Sequence, residues 1–250
     1  MSFEDPDFRA AFFAIHSDLP REAPGSDATT RRALDLVRAD MPPAPRVLDA
    51  GCGPGAASAV LLAELPQARI RAVDAHPPFV EAARARAAAL GAADRFEGAT
   101  ADMGAETGPF DLIWCEGAIY ALGVEPALRA WRGALAPGGR VVFSDALWLT
   151  DAPDPDAVEM WRAYPGMTDA AGLDAAVARA GFAVLGGFLQ PESDWDAYMD
   201  ALEARLGALE PDRETTRGGR AALAETRGEI AVWRRRRGQY GYRLLVVAPA

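Results

Sequence analysis

A glycine-rich loop is the part of this sequence whose residue types and spacing are best suited to binding a ligand. Residues 47–55 read Val-Leu-Asp-Ala-Gly-Cys-Gly-Pro-Gly, and an alanine-rich stretch follows directly. Glycines at 51, 53 and 55 allow a sharp turn and a close backbone approach, and the next helix would offer free N–H groups at its start. Such a loop suits a dinucleotide pyrophosphate as well as the carboxylate of an amino-acid moiety, so the glycines alone leave both ligands open.

Two aspartates near this loop narrow the choice of ligand. Asp49 stands two residues before the first glycine, where its carboxylate can meet the ammonium group of a bound amino acid, a group that a nicotinamide dinucleotide lacks. Asp74 ends the next β-branched run, about twenty residues after the loop, where an acidic side chain can accept both hydroxyls of a ribose. The alternative for Asp74 is a cap for the helix that begins at Pro77.

A second group of candidate residues follows two later strands. Glu116 stands in Trp-Cys-Glu-Gly-Ala-Ile-Tyr, residues 114–120, and is the predicted catalytic residue because it can orient an amine or hydroxyl or take its proton. A hydrogen bond to the backbone of the glycine loop is an equally open role. The residues predicted to lie where a second ligand enters are Tyr120, Asp145, Trp148, Trp161 and Tyr164, of which Tyr120, Trp148 and Tyr164 form the predicted substrate site. Ordinary packing is the alternative for most of them.

The elements that must position these residues alternate along the chain. Short β-branched runs are separated by longer alanine-rich stretches with helical periodicity, which predicts an α/β fold with a doubly wound, seven-stranded, mostly parallel, Rossmann-like sheet. The expected single domain, residues 1–250, has four parts: an N-terminal helical segment at 1–45, a cofactor-binding core at 46–190, a helical insertion at 191–238 and the last strand at 239–250. Ligands bind at the carboxyl ends of the strands in such sheets.

Composition excludes several classes of function. The chain carries a formal charge of -10, which disfavours a nucleic-acid partner. It contains no lysine, so a pyridoxal-phosphate Schiff base and a phosphate-loop lysine are excluded. His16, His76, Cys52 and Cys115 are too scattered for a metal site, and we predict none. An acidic N-terminus and the absence of a long apolar run predict a cytoplasmic protein with no membrane partner.

Five motifs in order resemble those of a known enzyme family. The chain contains VLDAGCGPG, RAVDA, TADMG, FDLIWCEGAIY and LAPGGRVVFSD, a series similar to that of class I S-adenosylmethionine-dependent methyltransferases. A dehydrogenase would have no reason to carry the Pro137-Gly138-Gly139 turn. The resemblance implies that S-adenosylmethionine is the cofactor, with its methionine part at Gly51 and Gly53, its ribose at Asp74, its adenine amino group at Asp102 and its adenine ring on Met103.

A narrower resemblance covers nearly the whole chain. Bacterial "methyltransferase type 11" proteins similarly carry R-x-x-P-G-S, W-x-E-G-A-I-Y and Y-G-Y, which begin here at Arg21, Trp114 and Tyr240. The region matched least well is 191–238. The complete predicted cofactor site consists of Arg21, Asp49, Gly51, Cys52, Gly53, Asp74, Ala75, Asp102 and Met103.

The expected function is methyl transfer from S-adenosylmethionine to a small-molecule acceptor by in-line displacement. Positioning supplies most of the catalysis in such a reaction because the electrophile is already activated. The Asn/Asp-Pro-Pro-aromatic run of nucleic-acid adenine methyltransferases is absent after the fourth strand, which also favours a small acceptor. Two alternatives are an NAD-dependent oxidoreductase and a non-catalytic regulatory protein that binds S-adenosylmethionine.

Overall fold

A seven-stranded sheet forms the centre of the computed structural model, which describes residues 4–213 and 216–250, without the side chains of 210–213. The strands are β1 Arg46–Ala50, β2 Arg69–Asp74, β3 Phe96–Thr100, β4 Phe110–Cys115, β5 Leu135–Trp148, β6 Phe182–Leu189 and β7 Tyr240–Pro249. Their order is β3-β2-β1-β4-β5-β7-β6. Only β7 runs antiparallel to its neighbours, so the predicted mostly parallel, doubly wound sheet is confirmed.

Helices cover both faces of this sheet. They are α1 Pro6–Ile15, α2 Asp27–Asp35, α3 Ala56–Glu64, α4 Pro77–Ala89, α5 Val124–Arg132, α6 Pro155–Met160, α7 Ala170–Arg179, α8 Glu192–Arg213 and α9 Arg217–Arg236. One apolar core joins α5 and α7 to the sheet, and a second joins α2, α3 and α4 to the opposite face. Ser26 caps α2 by accepting the Thr29 N–H, as expected of a serine before a helix.

A third apolar cluster lies at the carboxyl end of β5. It joins α1, α8 and α9 to Ala146 of β5 and to Tyr240 and Tyr242 of β7. The Trp195 and Trp233 rings stack with their centroids 4.8 Å apart, and both side chains are buried. The predicted helical insertion is therefore present as α8 and α9, and it packs against α1 at the end of the sheet where ligands bind. No helix in the described ranges is long and apolar enough to cross a bilayer.

The start of β5 differs from the sequence prediction. A turn is predicted at Pro137-Gly138-Gly139, with the strand beginning at Arg140, whereas the structure has β5 beginning at Leu135. Leu135 pairs with Phe110 before a register shift, and Leu112 pairs with Arg140 after it. Because the chain pairs on both sides of the glycines, Gly138, with its φ of +79°, lies in an irregularity inside a longer strand.

Candidate functional site

The glycine loop between β1 and α3 is held against the ends of two other strands. The N–H groups of Gly51 and Cys52 both donate to the Val73 carbonyl at 2.9 Å. Gly51 has a φ of +75°, and a Cβ there would clash with the Ala118 Cβ and would lie 3.3 Å from the Met103 sulfur. A side chain at this position would therefore fill the space between the loop and the segment after β4, so glycine is required.

Asp74 connects the loop to the first turn of α4. Its Oδ2 accepts the Gly53 N–H at 2.9 Å, and its Oδ1 accepts the His76 N–H at 2.8 Å. His76 is the N-cap residue of α4. The bond from its N–H to Asp74 therefore matches the alternative role of Asp74 at the start of this helix, whereas the bond from Gly53 does not. Each carboxylate oxygen has a further lone pair for a hydroxyl donor, which leaves the predicted ribose contact available.

Asp49 lies beneath the loop and is 1% exposed. The Ser58 hydroxyl on α3 donates to its carboxylate at 2.5 Å. Burial raises the pKa of Asp49 to about 7, the bond from Ser58 lowers it, and the nearby charge of Glu116 adds to the increase. This side chain therefore attaches β1 to α3, and its contact with a ligand ammonium group stays a prediction.

The adenine side of the predicted site follows β3. Asp102 is exposed and its Oδ1 accepts the Gly104 N–H at 2.8 Å. The Met103 carbonyl accepts the Trp131 indole N–H at 2.8 Å, which fixes the segment that carries the Met103 sulfur beside Gly51. Ala75 is exposed just after β2. The site thus offers the Asp74 and Asp102 carboxylates as acceptors for hydroxyl and amino groups, the Met103 thioether and the glycine loop. These groups fit S-adenosylmethionine.

Glu116, which follows β4, is held by three donors from three parts of the chain. Arg21 Nη1 donates to its Oε1 at 3.2 Å, while Thr30 Oγ1 and Trp114 Nε1 donate to its Oε2 at 3.0 and 3.1 Å. The side chain is 5% exposed. Burial raises the pKa of Glu116, and Arg21, Thr30 and Trp114 oppose that increase. Both oxygens are thus occupied by protein donors, and neither bonds to the glycine loop.

Residues 16–25, which we call the cover segment, lie over the loop. A Cβ on Gly53 would lie 3.7 Å from Glu22 Cγ, and a Cβ on Gly117, whose φ is +77°, would clash with the Ala23 Cβ. His16 Nδ1 lies 3.1 Å from Glu22 Oε2. No role for Glu22 is predicted from the sequence, although its neighbour Arg21 begins the R-x-x-P-G-S motif. Burial raises the pKa of Glu22 to about 9, with a further increase from Asp74.

The α1 helix closes the same side of the site. The Phe13 ring stacks on the His76 ring with centroids 3.8 Å apart and an interplanar angle of 3°. Phe79 of α4 meets His76 edge-on at 4.6 Å. Because His76 directly follows the Asp74-Ala75 pair, α1 and the cover segment together lie across the end of β2.

The predicted substrate residues separate into two places. Tyr164 Oη donates to Asp145 Oδ2 at 2.8 Å, and the exposed Tyr120 meets Tyr164 edge-on with centroids 6.0 Å apart. Trp148 packs edge-on against Tyr240 at 6.4 Å, and Trp148, Trp161 and Tyr164 all pack against the third apolar cluster. The structure therefore brings Tyr120 and Tyr164 together with Asp145, whereas the ring contact of Trp148 is with Tyr240.

The two cysteines are free and buried. Burial raises the pKa of both thiols, at Cys52 in the glycine loop and at Cys115 at the end of β4, so neither is poised as a thiolate. Within 4–213 and 216–250, no group of three His, Cys, Asp or Glu side chains is arranged to hold a metal ion.

Comparisons with known proteins agree on the type of domain. A family model described as "Methyltransferase domain" matches residues 48–141. Trans-aconitate 2-methyltransferase of Azoarcus sp. (strain BH72) is 29% identical over 239 residues, covering 77% of this chain and 90% of the relative. Phosphoethanolamine N-methyltransferase 3 of Arabidopsis thaliana is 28% identical over 195 residues, covering 76% of this chain and 38% of that protein.

A solved structure shares the fold along almost the whole chain. It is the SAM-dependent methyltransferase from Geobacter sulfurreducens in complex with S-adenosyl-L-homocysteine, with a TM-score of 0.85 and 21% sequence identity. The match covers 96% of this chain and 98% of that chain.

Proposed function

Since the chain is a class I S-adenosylmethionine-dependent methyltransferase, we propose that it methylates a small-molecule acceptor at the carboxyl ends of β4 and β5. The cofactor supplies a methyl carbon bound to a positively charged sulfur; an acceptor lone pair bonds to that carbon while the C–S electrons stay on sulfur. The residues of the chain bind, orient and exclude water from the two reactants.

The observation that carries this proposal is the contact of one glycine loop with both Asp74 and Met103. Asp74 accepts a loop N–H, and the Met103 sulfur lies against Gly51. A ligand that follows these contacts has a ribose near Asp74 and an aromatic base near Met103. Its amino-acid end would then lie on Gly51 and Gly53, beside the start of α3, whose positive partial charge favours a carboxylate.

Glu116 acts in this proposal by orienting the site. A general base takes a proton from the acceptor, whereas the Glu116 carboxylate already accepts three protein donors, one of them the cation of Arg21. Its bond to Arg21 joins β4 to the cover segment. We therefore assign to Glu116 the positioning of the cover segment over the cofactor, and to Arg21 the matching role on the other side of the bond.

The cover segment excludes water from the transfer site. Glu22 and Ala23 lie on Gly53 and Gly117, and Phe13 lies on His76. Both reactants thus meet beneath residues of the N-terminal region. Exclusion of water strengthens the electrostatic interactions within such a site.

A small molecule is the acceptor class best supported by the charge of the chain. The formal charge of -10 opposes the approach of a phosphate backbone. The names of two relatives point to a carboxylic acid in one case, trans-aconitate, and to an amine in the other, phosphoethanolamine. Both of these are small acceptors.

Isothermal titration with S-adenosylhomocysteine, with NAD as the control ligand, tests the cofactor assignment. We expect binding of S-adenosylhomocysteine alone; binding of NAD alone would support the oxidoreductase alternative and overturn the proposal. Turnover is then measured as S-adenosylhomocysteine formed from S-adenosylmethionine in the presence of small amines, alcohols and carboxylic acids. Cofactor binding without turnover on any of them would support the regulatory alternative.

A further inference from the structure

A cavity of about 190 Å³ lies between the start of α5 and α7. Residues that line it include Gly123, Pro126, Asp145, Tyr164, Thr168 and Leu173. Its walls are largely apolar, and the carboxylate and the phenol hydroxyl provide one polar end. A cavity of this kind suits a compact ligand that has one polar group and an apolar body.

Asp145 is a buried acid without a basic partner. The residue is 4% exposed, and its carboxylate accepts the Tyr164 hydroxyl at 2.8 Å. Burial raises its pKa to about 6, and the hydrogen bonds from Tyr164 and from the Ala146 backbone limit that increase. Asp145 is thus mostly ionised at neutral pH, and none of the ion pairs among the described side chains includes it. A buried charge normally has a partner, and a ligand can supply one here.

The cavity adjoins the expected transfer site. Cys115 pairs with Phe143 across β4 and β5, so Asp145 lies at the level of Gly117, two residues beyond that pair on each strand. The Gly117 N–H donates to Ser144 Oγ at 2.8 Å. This register brings the carboxyl end of β5 beside the residue that follows Glu116.

One short stretch of chain, residues 118–123, contacts both the cofactor loop and the cavity. Ala118 lies against Gly51, Leu122 lies against Gly104, and Gly123 lines the cavity. Tyr120, between them, meets the ring of Tyr164 edge-on. The cavity and the cofactor cradle therefore border the same segment of the chain.

The charges around the cavity oppose a carboxylate ligand. Arg179 and Glu125 line it, but the Arg179 Nε donates to Glu125 Oε2 at 2.7 Å, and Glu125 also pairs with Arg129. The rim arginine is thus already neutralised, whereas Asp145 is not. An anionic acceptor would meet an unscreened carboxylate, while an N–H group or an ammonium would form a charge-assisted hydrogen bond with it.

We propose that this cavity is the acceptor site and that Asp145 selects a compact amine with an apolar substituent, the Asp145 carboxylate taking one ammonium proton so that the nitrogen lone pair can bond to the methyl carbon. The inference rests on the proposed methyl transfer and adds the acceptor class to it. Tyr164 holds the carboxylate in place, and the apolar walls formed by Pro126 and Leu173 contact the substituent. The acceptor class would then differ from the tricarboxylate in the name of the Azoarcus relative.

Three compounds of one shape test this selection: benzylamine, benzyl alcohol and benzoate. Cyclohexylamine is added as a second amine. Each is titrated at neutral pH into protein saturated with S-adenosylhomocysteine, by calorimetry and by the change in Tm. We expect the amines to bind, benzyl alcohol to bind at least 10-fold more weakly and benzoate to give no binding. Benzoate binding as tightly as benzylamine, or no binding by either amine, would overturn the proposal.

Variants then connect the binding to Asp145. D145N should bind benzylamine at least 10-fold more weakly than the wild type does. The affinity of this variant for S-adenosylhomocysteine should stay unchanged. The control is D94N, the same substitution at an exposed acid before β3, and it should leave amine binding unchanged. Equal amine binding by D145N and the wild type would contradict the inference.

A second variant covers the case in which D145N does not fold. Y164F retains the carboxylate but removes the hydroxyl that fixes it, and we expect a 3- to 10-fold loss of amine affinity without a gain for benzoate. If the wild type does not bind S-adenosylhomocysteine, the result counts against the proposed function itself. Retained cofactor binding without amine binding counts only against the acceptor class.

Discussion

Arg21 and Glu116, 95 residues apart in the sequence, are joined by a hydrogen bond of 3.2 Å between Nη1 and Oε1. Arg21 also donates to Asp27 and Thr30 at the start of α2. The end of β4 and the cover segment are therefore one connected unit. A change at either residue should reach the glycine loop through Gly117 and Ala23.

Glu116→Gln tests whether this carboxylate positions the site or takes a proton. For a positioning role, we expect a loss of about 2 kcal/mol in the free energy of unfolding, because the partly buried Arg21 loses one of its two carboxylate partners and keeps Asp27. The pH profile of kcat should be unchanged. A base role predicts a kcat loss of about 100-fold or more and the disappearance of the acidic limb of the profile. Urea unfolding and steady-state kinetics distinguish the two.

A double-mutant cycle isolates the pair itself. Arg21→Ala combined with Glu116→Ala should give a coupling energy of about 1 to 3 kcal/mol. The control is the exposed pair of Arg31 and Glu64, whose Nε to Oε1 distance is 3.0 Å. Its coupling should be much smaller than that of Arg21 and Glu116 because water screens it.

Gly117→Ala should displace the cover segment. The added Cβ would clash with the Ala23 Cβ, at a backbone φ of +77°. We expect a loss of about 1 to 3 kcal/mol in stability and a weaker affinity for S-adenosylhomocysteine. Gly133→Ala is the matched control because its Cβ would meet no atom within 4 Å. Equal effects of the two substitutions on Tm and on affinity would contradict the packing of Ala23 in the cover segment against Gly117.

Asp74→Ala should weaken the binding of S-adenosylhomocysteine by about 1 to 3 kcal/mol, as expected for the loss of hydrogen bonds to a charged group. The loop N–H of Gly53 also loses its acceptor, which adds to the effect. Calorimetric titration measures the change, and Asp94→Ala, at an exposed acid before β3, serves as the control. Unchanged affinity would remove Asp74 from the cofactor site.

Asp49→Asn should change how stability depends on pH. Because the folded-state pKa of about 7 is above the ordinary 3.8, ionised Asp49 opposes folding. Its favourable protonated state is fully present below pH 3.8 and is lost as the pH rises through about 7. The free energy of unfolding of the variant should therefore rise relative to that of the wild type between pH 3.8 and about 7, by up to about 4 kcal/mol. Urea unfolding at several pH values, without ligand, measures the difference; a constant difference would contradict the raised pKa.

The sequence predicts the sheet and its loop because their signals are local. The run from Arg46 to Ala50 and the three glycines after it specify a buried strand and a turn within ten or so residues. Asp74 is found from its distance to that loop. The mostly parallel sheet follows from the alternation of strands and helices along the chain.

Contacts between distant segments could not be predicted in the same way. Nothing near Glu116 in the sequence indicates that Arg21 and Thr30 will donate to it, because those contacts depend on the path of the cover segment. Trp148 is the last residue of β5, and its contact with Tyr240 of the last strand depends on the path of a segment about ninety residues away in the sequence. Glu22 lacks any local pattern, and its position on Gly53 arises only when the N-terminal region folds onto the sheet.

The position of the cover segment also has a kinetic consequence. In the proposed site the spent cofactor would lie behind Glu22, Ala23 and Phe13, and a fresh molecule would enter by the same route. We expect the detachment of these residues to be slower than the displacement itself, so the first turnover should appear as a burst of product followed by a slower steady rate. A single-turnover rate equal to kcat would indicate that the route out is already open.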